Sequence, residues 1–202
     1  MIIYDLEIIN CIPDHTKPAL PGYRYCEGWH DHEHMGISVL CAYDYETDRY
    51  RVFCEDNFQE FRDLVKRPRS CVGFNNINFD NKVLRANGVE VPEEFSYDIL
   101  REIWRAAGLD PTRFSPKTHG GYGLDAVCKT NFNMTKTGHG AKAPEQWQRG
   151  EVGAVIDYCL EDVRLTKCLL DRIISTGFLL SPKDIRRALI IRLPKIAIEC
   201  ED

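Results

Sequence analysis

No stretch of the 202-residue sequence approaches the ~20 consecutive apolar residues of a membrane-spanning helix, and the N-terminus has neither the basic nor the apolar region of a secretory signal. The expectation is a cytoplasmic protein with no membrane partner. C-x-x-C pairs are missing too. The nine cysteines are odd in number and scattered, which argues against a disulfide framework and for free thiols in a reducing compartment. Internal repeats and domain linkers are also absent, so a single domain over 1–202 is expected, with its core over about 1–175 and a C-terminal extension over 176–202. Positive charge is in deficit. A formal net charge of −5 ordinarily counts against a nucleic-acid partner. That exclusion fails if several acids are gathered around cations, which reverse the local sign.

What is present begins with "MIIYDLEIIN". From Ile2 to Ile9 every residue except Asp5 and Glu7 is Ile, Leu or Tyr, the pattern of a short strand in a covered sheet. Side chains two apart on a strand share a face, roughly 7 Å apart along the chain. Two carboxylates so placed must reach solvent at a strand end or, if buried, be neutralised, hydrogen-bonded or bound to a cation. Carboxylate oxygens are the ligands that magnesium prefers.

A loop over 11–35, rich in Pro, Gly, His and charge, follows this strand. "MGISVLCAYDY" and "RYRVFC" then read as a hairpin, "NFQEFRDLVKR" as a helix and "SCVGF" as a short strand. "FDNKVLRANG" and "DILREIWRAAG" are helices stopped by Gly88 and Gly108, and "LDAVCKTNF" is a short helix. "NMTKTGHGAKAPEQWQRGE" reads as a mobile polar loop. The strongest helical period lies in "VGAVIDYCLEDVRLTKCLLDRIISTG", closed by Gly177. The tail reads as a strand reaching Leu193. Strands first, then helices alternating with strands, imply an α/β sheet of two or three layers.

Three sites stand out: "DLE", "GFNNINFD" and "YCLED". In the second, a strand runs into a polar turn and delivers Asp80 at the start of a helix. In the third, Tyr158 and Asp162 are four apart and share a helical face, while Asp157 and Glu161 lie about 100° to either side. Taken singly, Asp80 is also a plausible helix cap, Tyr158 a core side chain and Asp162 a solvated acid.

In this order, the three motifs resemble those of the DEDD superfamily of 3′-to-5′ exonucleases, in its DEDDy branch. "GFNNINFD" is close to the form found in family B polymerases, and "TGHGAKAPEQWQRGE" resembles stand-alone, phage-type exonucleases. The resemblance covers roughly residues 1–175; the insertion over 11–35 departs from it. It implies a ribonuclease H-like fold, a mixed central sheet flanked by helices. It also implies an enzyme using two Mg2+ or Mn2+ ions to hydrolyse phosphodiesters from the 3′ end of single-stranded or frayed nucleic acid, with DNA put ahead of RNA. Asp5, Glu7, Asp80 and Asp162 are then the metal ligands and, with Tyr158, the catalytic set.

The chemistry suits those residue types, because two cations ~3.5–4 Å apart activate water, stabilise charge at phosphorus and assist the departing oxygen. Asp5 would bridge the ions, Glu7 and Asp162 would complete the site of the attacking water, and Asp80 would serve the second ion. The Tyr158 hydroxyl would hold the water. With no room for a polymerase domain, a polymerase or helicase would be a separate partner. The alternatives are a silent nucleic-acid-binding module, against which retention of all four acids and the tyrosine argues, and a ribonuclease H-like endonuclease.

Asn75, Asn78, Lys136, His139 and Lys142 are candidate substrate contacts. Lys117, Lys129 and Arg149, with Tyr122, Phe132 and Trp147, extend a set of cations interleaved with aromatics that suits a single strand. A solvated loop is the plain alternative. His30, His32 and His34 alternate as zinc ligands do, but no Cys or His pair is placed to close a tetrahedral site. "KRPR" at 66–69 reads as a surface helix end.

Overall fold

Alternation along the first strand divides its side chains between two cores. Ile2, Tyr4, Leu6 and Ile8 enter one apolar cluster and Ile3 the other, as a two-residue period requires. The computed structural model describes residues 1–67, 69–135 and 140–194. In it, this strand, β1 (Ile2–Ile8), is the middle of a five-stranded sheet. The others are β2 (Ile37–Asp44), β3 (Arg49–Phe53), β4 (Cys71–Gly73) and β5 (Ser96–Asp98), in the order β3-β2-β1-β4-β5. β2 runs antiparallel to both its neighbours, whereas β4 is parallel to β1 and to β5. The sheet is therefore mixed, and helices cover it on both sides.

One covering layer holds α2 (Phe58–Val65) and α3 (Asp80–Ala86), which follow the short α1 (His32–Met35). Phe61, Leu64, Val83 and Leu84 from these helices pack with Tyr4 and Phe53. The opposite layer holds α4 (Ile99–Ala106), α6 (Leu124–Phe132) and α8 (Val152–Thr176), with the short α5 (Pro116–His119) and α7 (Ala143–Gln148) between them. Val155, Cys159, Val163 and Leu169 recur at helical spacing along α8 and meet Ile3, Val39 and Cys41 of the sheet. The expected long helix is thus present and seated across β1 and β2. The architecture is three-layered α/β.

Several local readings are corrected. Ser96–Asp98 is an added strand that no pattern announces, since three residues are too few for a period to show, and the helix expected from Asp98 begins at Ile99 with Asp98 as its cap. Ala143–Gln148 is a helix rather than loop, with Pro144 in its first turn, where proline is tolerated. The 11–35 segment is tied to itself, since Cys11 N–H donates to Arg24 O at 2.9 Å and Cys26 N–H to Cys11 O at 3.0 Å. Arg69 is no surface residue: 7 % exposed, it pairs with Asp44 at 3.2 Å and Glu46 at 2.7 Å. The tail is a hairpin of β6 (Phe178–Ser181) and β7 (Asp184–Ile190), so the strand stops short of Leu193. Leu179 and Leu189 of that hairpin are buried with the α8 core. Among the described residues the eight cysteines are free thiols, and no helix is long and apolar enough to cross a membrane.

Candidate metal centre

The acids of β1 lie on the face that Ile3 shares, pointing towards α8. Asp5 is opposite Cys41 and Glu7 opposite Val39, both in the α8 core. Glu7 is buried and Asp5 half-buried. From α8, Asp162 reaches the same place and is buried as well. Asp5, Glu7 and Asp162 each offer a carboxylate oxygen, and the three oxygens lie within 4.8 Å of one another. An all-oxygen set of this kind matches hard cations such as Mg2+ and Mn2+. Beside it the Cys159 thiol donates to Asp5 O at 3.3 Å, and burial pushes that thiol well above its usual range, so it stays protonated.

Asp80 arrives by a different route. β4 pairs with β1 only at Ile2 and Ile3, and the chain then turns sharply after Gly73. A Cβ on Gly73 would lie 2.5 Å from the Asn76 Cβ, so the turn closes only around glycine. Past that turn Leu6 N–H donates to Asp80 Oδ1 at 3.2 Å. Asp80 is therefore no helix cap. The capping position belongs to Phe79, and the Asp80 carboxylate crosses to β1. Burial raises its pKa from 3.8 to about 7, against hydrogen bonds from Leu6 N–H and its own N–H. Asp80 lies outside the triad but lines the same cavity.

The turn that delivers Asp80 is held by a residue the sequence reading passed over. Asp98, buried at the end of β5, accepts from Asn75 N–H at 2.9 Å and Ile77 N–H at 3.3 Å. It also accepts from Leu100 N–H at 3.0 Å, capping α4. A second brace runs through side chains: Asn76 Nδ2 donates to the Tyr4 hydroxyl at 3.2 Å, Tyr4 donates to Asn81, and Asn81 Nδ2 donates to Ser96 Oγ at 3.0 Å. The sequence signal for Asp98 was its position three residues before Arg101 at a helix start. Its bonds to the turn were hidden because β5, the strand that it ends, is only three residues long.

The four acids open into a cavity of about 810 Å3. Part of its wall comes from the 11–35 segment, including Ile12 and Trp29, and part from Phe74, Asn75 and Phe79. Asn75, with φ of 70°, lines it. Asn78 does not; it donates to Asn75 Oδ1 at 3.1 Å and accepts from Arg101 at 2.7 Å, serving the turn. Tyr158 sits one turn before Asp162, partly buried against the α8 core. Gly140 lies over it so closely that a Cβ there would be 3.1 Å from the phenol oxygen.

Lys142 is exposed and outside the cavity lining. Lys136 and His139 fall outside the described residues. Of the aromatics expected among the cations, Tyr122 is buried in the core and Phe132 lies beneath the Arg172 guanidinium. Arg149 pairs with Glu151 at 2.9 Å. Among the described residues of that cation-and-aromatic set, Lys117, Tyr122, Lys129, Phe132, Lys142, Trp147 and Arg149, none lines the cavity. Asp157 is exposed and Glu161 pairs with Arg164 at 2.6 Å, so both stand apart from the triad. No protein-family model matches the chain, and no curated protein sequence does.

Proposed function

We propose that this protein is a metal-dependent 3′-to-5′ exonuclease of the DEDDy type with a ribonuclease H-like fold, acting on single-stranded or frayed nucleic acid, DNA ahead of RNA. One observation carries the reading: Asp5, Glu7 and Asp162, up to 157 positions apart in the sequence, place carboxylate oxygens within 4.8 Å of one another on the floor of an open cavity. Asp80 lines that cavity as the fourth acid. A mixed central sheet flanked by helices is compatible with the fold that the motifs imply.

Asp5, Glu7 and Asp162 would hold one divalent ion, and Asp80 with Asp5 a second. When bound, such ions supply Lewis acidity at phosphorus and acidify a coordinated water. The protein's own part is to hold the charges ready. β1 fixes Asp5 and Glu7 by ladder bonds to β2, α8 fixes Asp162, and Leu6 N–H fixes Asp80. Tyr158, one helical turn from Asp162, supplies a hydroxyl to orient a water.

The test uses 5′-labelled single-stranded DNA and RNA with magnesium, manganese or chelator. The expected result is a ladder shortening from the 3′ end, only with metal. Absence of metal-dependent cleavage on both polymers would overturn the proposal, and internal cuts would assign an endonuclease.

A further inference from the structure

Four acids on a cavity floor do not account for an indole left standing on its wall. Of the exposed large apolar side chains among the described residues, only Trp29 lines this cavity, and it is 70 % exposed. Leaving so large an apolar ring in water forgoes the free energy of burial, which a protein recovers only when something covers the ring. The ring is also held in place. Its centroid is 5.9 Å from that of Phe79, tilted by 63°, an edge contact that leaves an indole face open. Phe79 directly precedes Asp80, so the aromatic pair is joined to the acidic floor.

The backbone beneath Trp29 is tied down as well. Asp31 N–H donates to Gly28 O at 3.1 Å, and the Asp31 carboxylate accepts from Glu27 N–H at 2.8 Å and contacts His34 Nδ1 at 2.6 Å. Cys26 Sγ donates to Gly28 O at 3.6 Å. A tied turn presenting a single aromatic is ordered before anything binds, which lowers the entropy loss on binding.

We infer that Trp29, steadied by Phe79, is a stacking platform for an unpaired base near the 3′ end of the nucleic acid, and that the 11–35 segment is the wall selecting single strands. This rests on the nuclease reading above. Every base has a π-face, so stacking on an aromatic is tolerant of sequence. In a duplex those faces are occupied by neighbouring bases, and only an unstacked nucleotide can offer one to the indole.

Binding is measured with calcium in place of magnesium, using a fluorescein-labelled single-stranded ten-nucleotide thymidine oligomer and a version abasic at its last two positions. Wild-type protein should bind the intact oligomer about 10- to 100-fold more tightly than the abasic one. Trp29→Ala should bind the intact oligomer as weakly as wild type binds the abasic one, and lose nothing further on the abasic probe. Trp29→Phe, which keeps a stacking ring, should stay within about threefold of wild type. Equal affinity of Trp29→Ala and wild type for the intact oligomer, or an equal loss on both probes, would overturn the inference. Should Trp29→Ala fail to fold, a wild-type protein indifferent to the missing bases would overturn it alone. Metal-dependent hydrolysis by wild type of bis(p-nitrophenyl) phosphate, a diester without bases, separates the two readings. With that hydrolysis present and base discrimination absent, stacking fails by itself; with no cleavage of either diester or DNA, the nuclease reading fails and takes stacking with it.

Discussion

Leu6 N–H and Asp80 Oδ1 are 3.2 Å apart, a bond that draws a carboxylate from the start of α3 into the space that β4 leaves beside β1. It places the acid where burial raises its pKa from 3.8 to about 7. A carboxyl whose folded pKa is raised contributes stability below its unfolded value, and that contribution is lost as pH rises through the folded value. Metal-free protein should therefore lose melting temperature between about pH 4 and pH 7. Asp98, also raised by burial, acts in the same direction. Asp80→Asn should flatten the slope in chelator; a slope unchanged by that substitution would put the effect elsewhere.

Clustered carboxylates repel when no cation is present, so divalent ions should stabilise this fold. At about 100 times its dissociation constant, magnesium or manganese should add about 2.7 kcal/mol. Asp5→Asn removes one charge from the triad and should raise the metal-free melting temperature by about 2–4 °C. Differential scanning calorimetry in chelator and in millimolar metal checks both, and a wild-type melt that ignores divalent ions counts against the site.

Losing a ligand and losing a water-orienting hydroxyl should differ in kind. Asp162→Ala should remove nearly all turnover together with metal affinity. Tyr158→Phe keeps the ring and its packing, so it should lower the single-turnover cleavage rate by about 10²-fold while leaving metal affinity and melting temperature in place. Cleavage at the wild-type rate would return Tyr158 to the helix core.

Gly140 offers a way to move the same hydroxyl without touching it. A Cβ at 3.1 Å from the phenol oxygen forces one of the two to shift. Gly140→Ala should slow cleavage in the wild-type background and have little further effect with Tyr158→Phe, because the crowded oxygen is then gone. Additive losses in the double variant would mean that the two residues act separately.

The turn that delivers Asp80 should fail at Gly73. Its new methyl would stand 2.5 Å from the Asn76 Cβ, a backbone-anchored atom that cannot swing aside. Gly73→Ala should cost about 1–3 kcal/mol in urea unfolding, as overpacking does, and should weaken metal-induced stabilisation beyond that. A neutral substitution would show that the turn has another way to close.

Periodicity and motif spacing made much of the site readable. Asp5 and Glu7 interrupt a run of Ile, Leu and Tyr, so a shared strand face follows from the period of two; Asp162 follows from the 3.6-residue period of α8. What escaped has physical reasons. β5 spans three residues, too short for any period, so Asp98 is legible as the start of α4 but not as the acceptor that holds the turn through Asn75 and Ile77. Trp29 lay in a segment read as loop because its order comes from bonds between Cys11, Arg24 and Cys26, which no local pattern announces. Tyr122 and Phe132 were read as solvent-facing because aromatics near cations suit both a strand-binding surface and a packed core, and only tertiary contacts tell the two apart.

The separation of Asp162 from Asp5 and Glu7 along the chain also bears on how the protein comes into being. β1 and β2 can form a hairpin-like pair early, since both lie in the first 44 residues. The two acids of β1 lack the third member of their cluster until α8 has been synthesised and docked across them, a contact of high sequence separation that forms late in folding. If the protein acts as proposed, cation affinity is acquired only at the end of folding, and a nascent chain would stay inert towards nearby nucleic acid until its last long helix is in place.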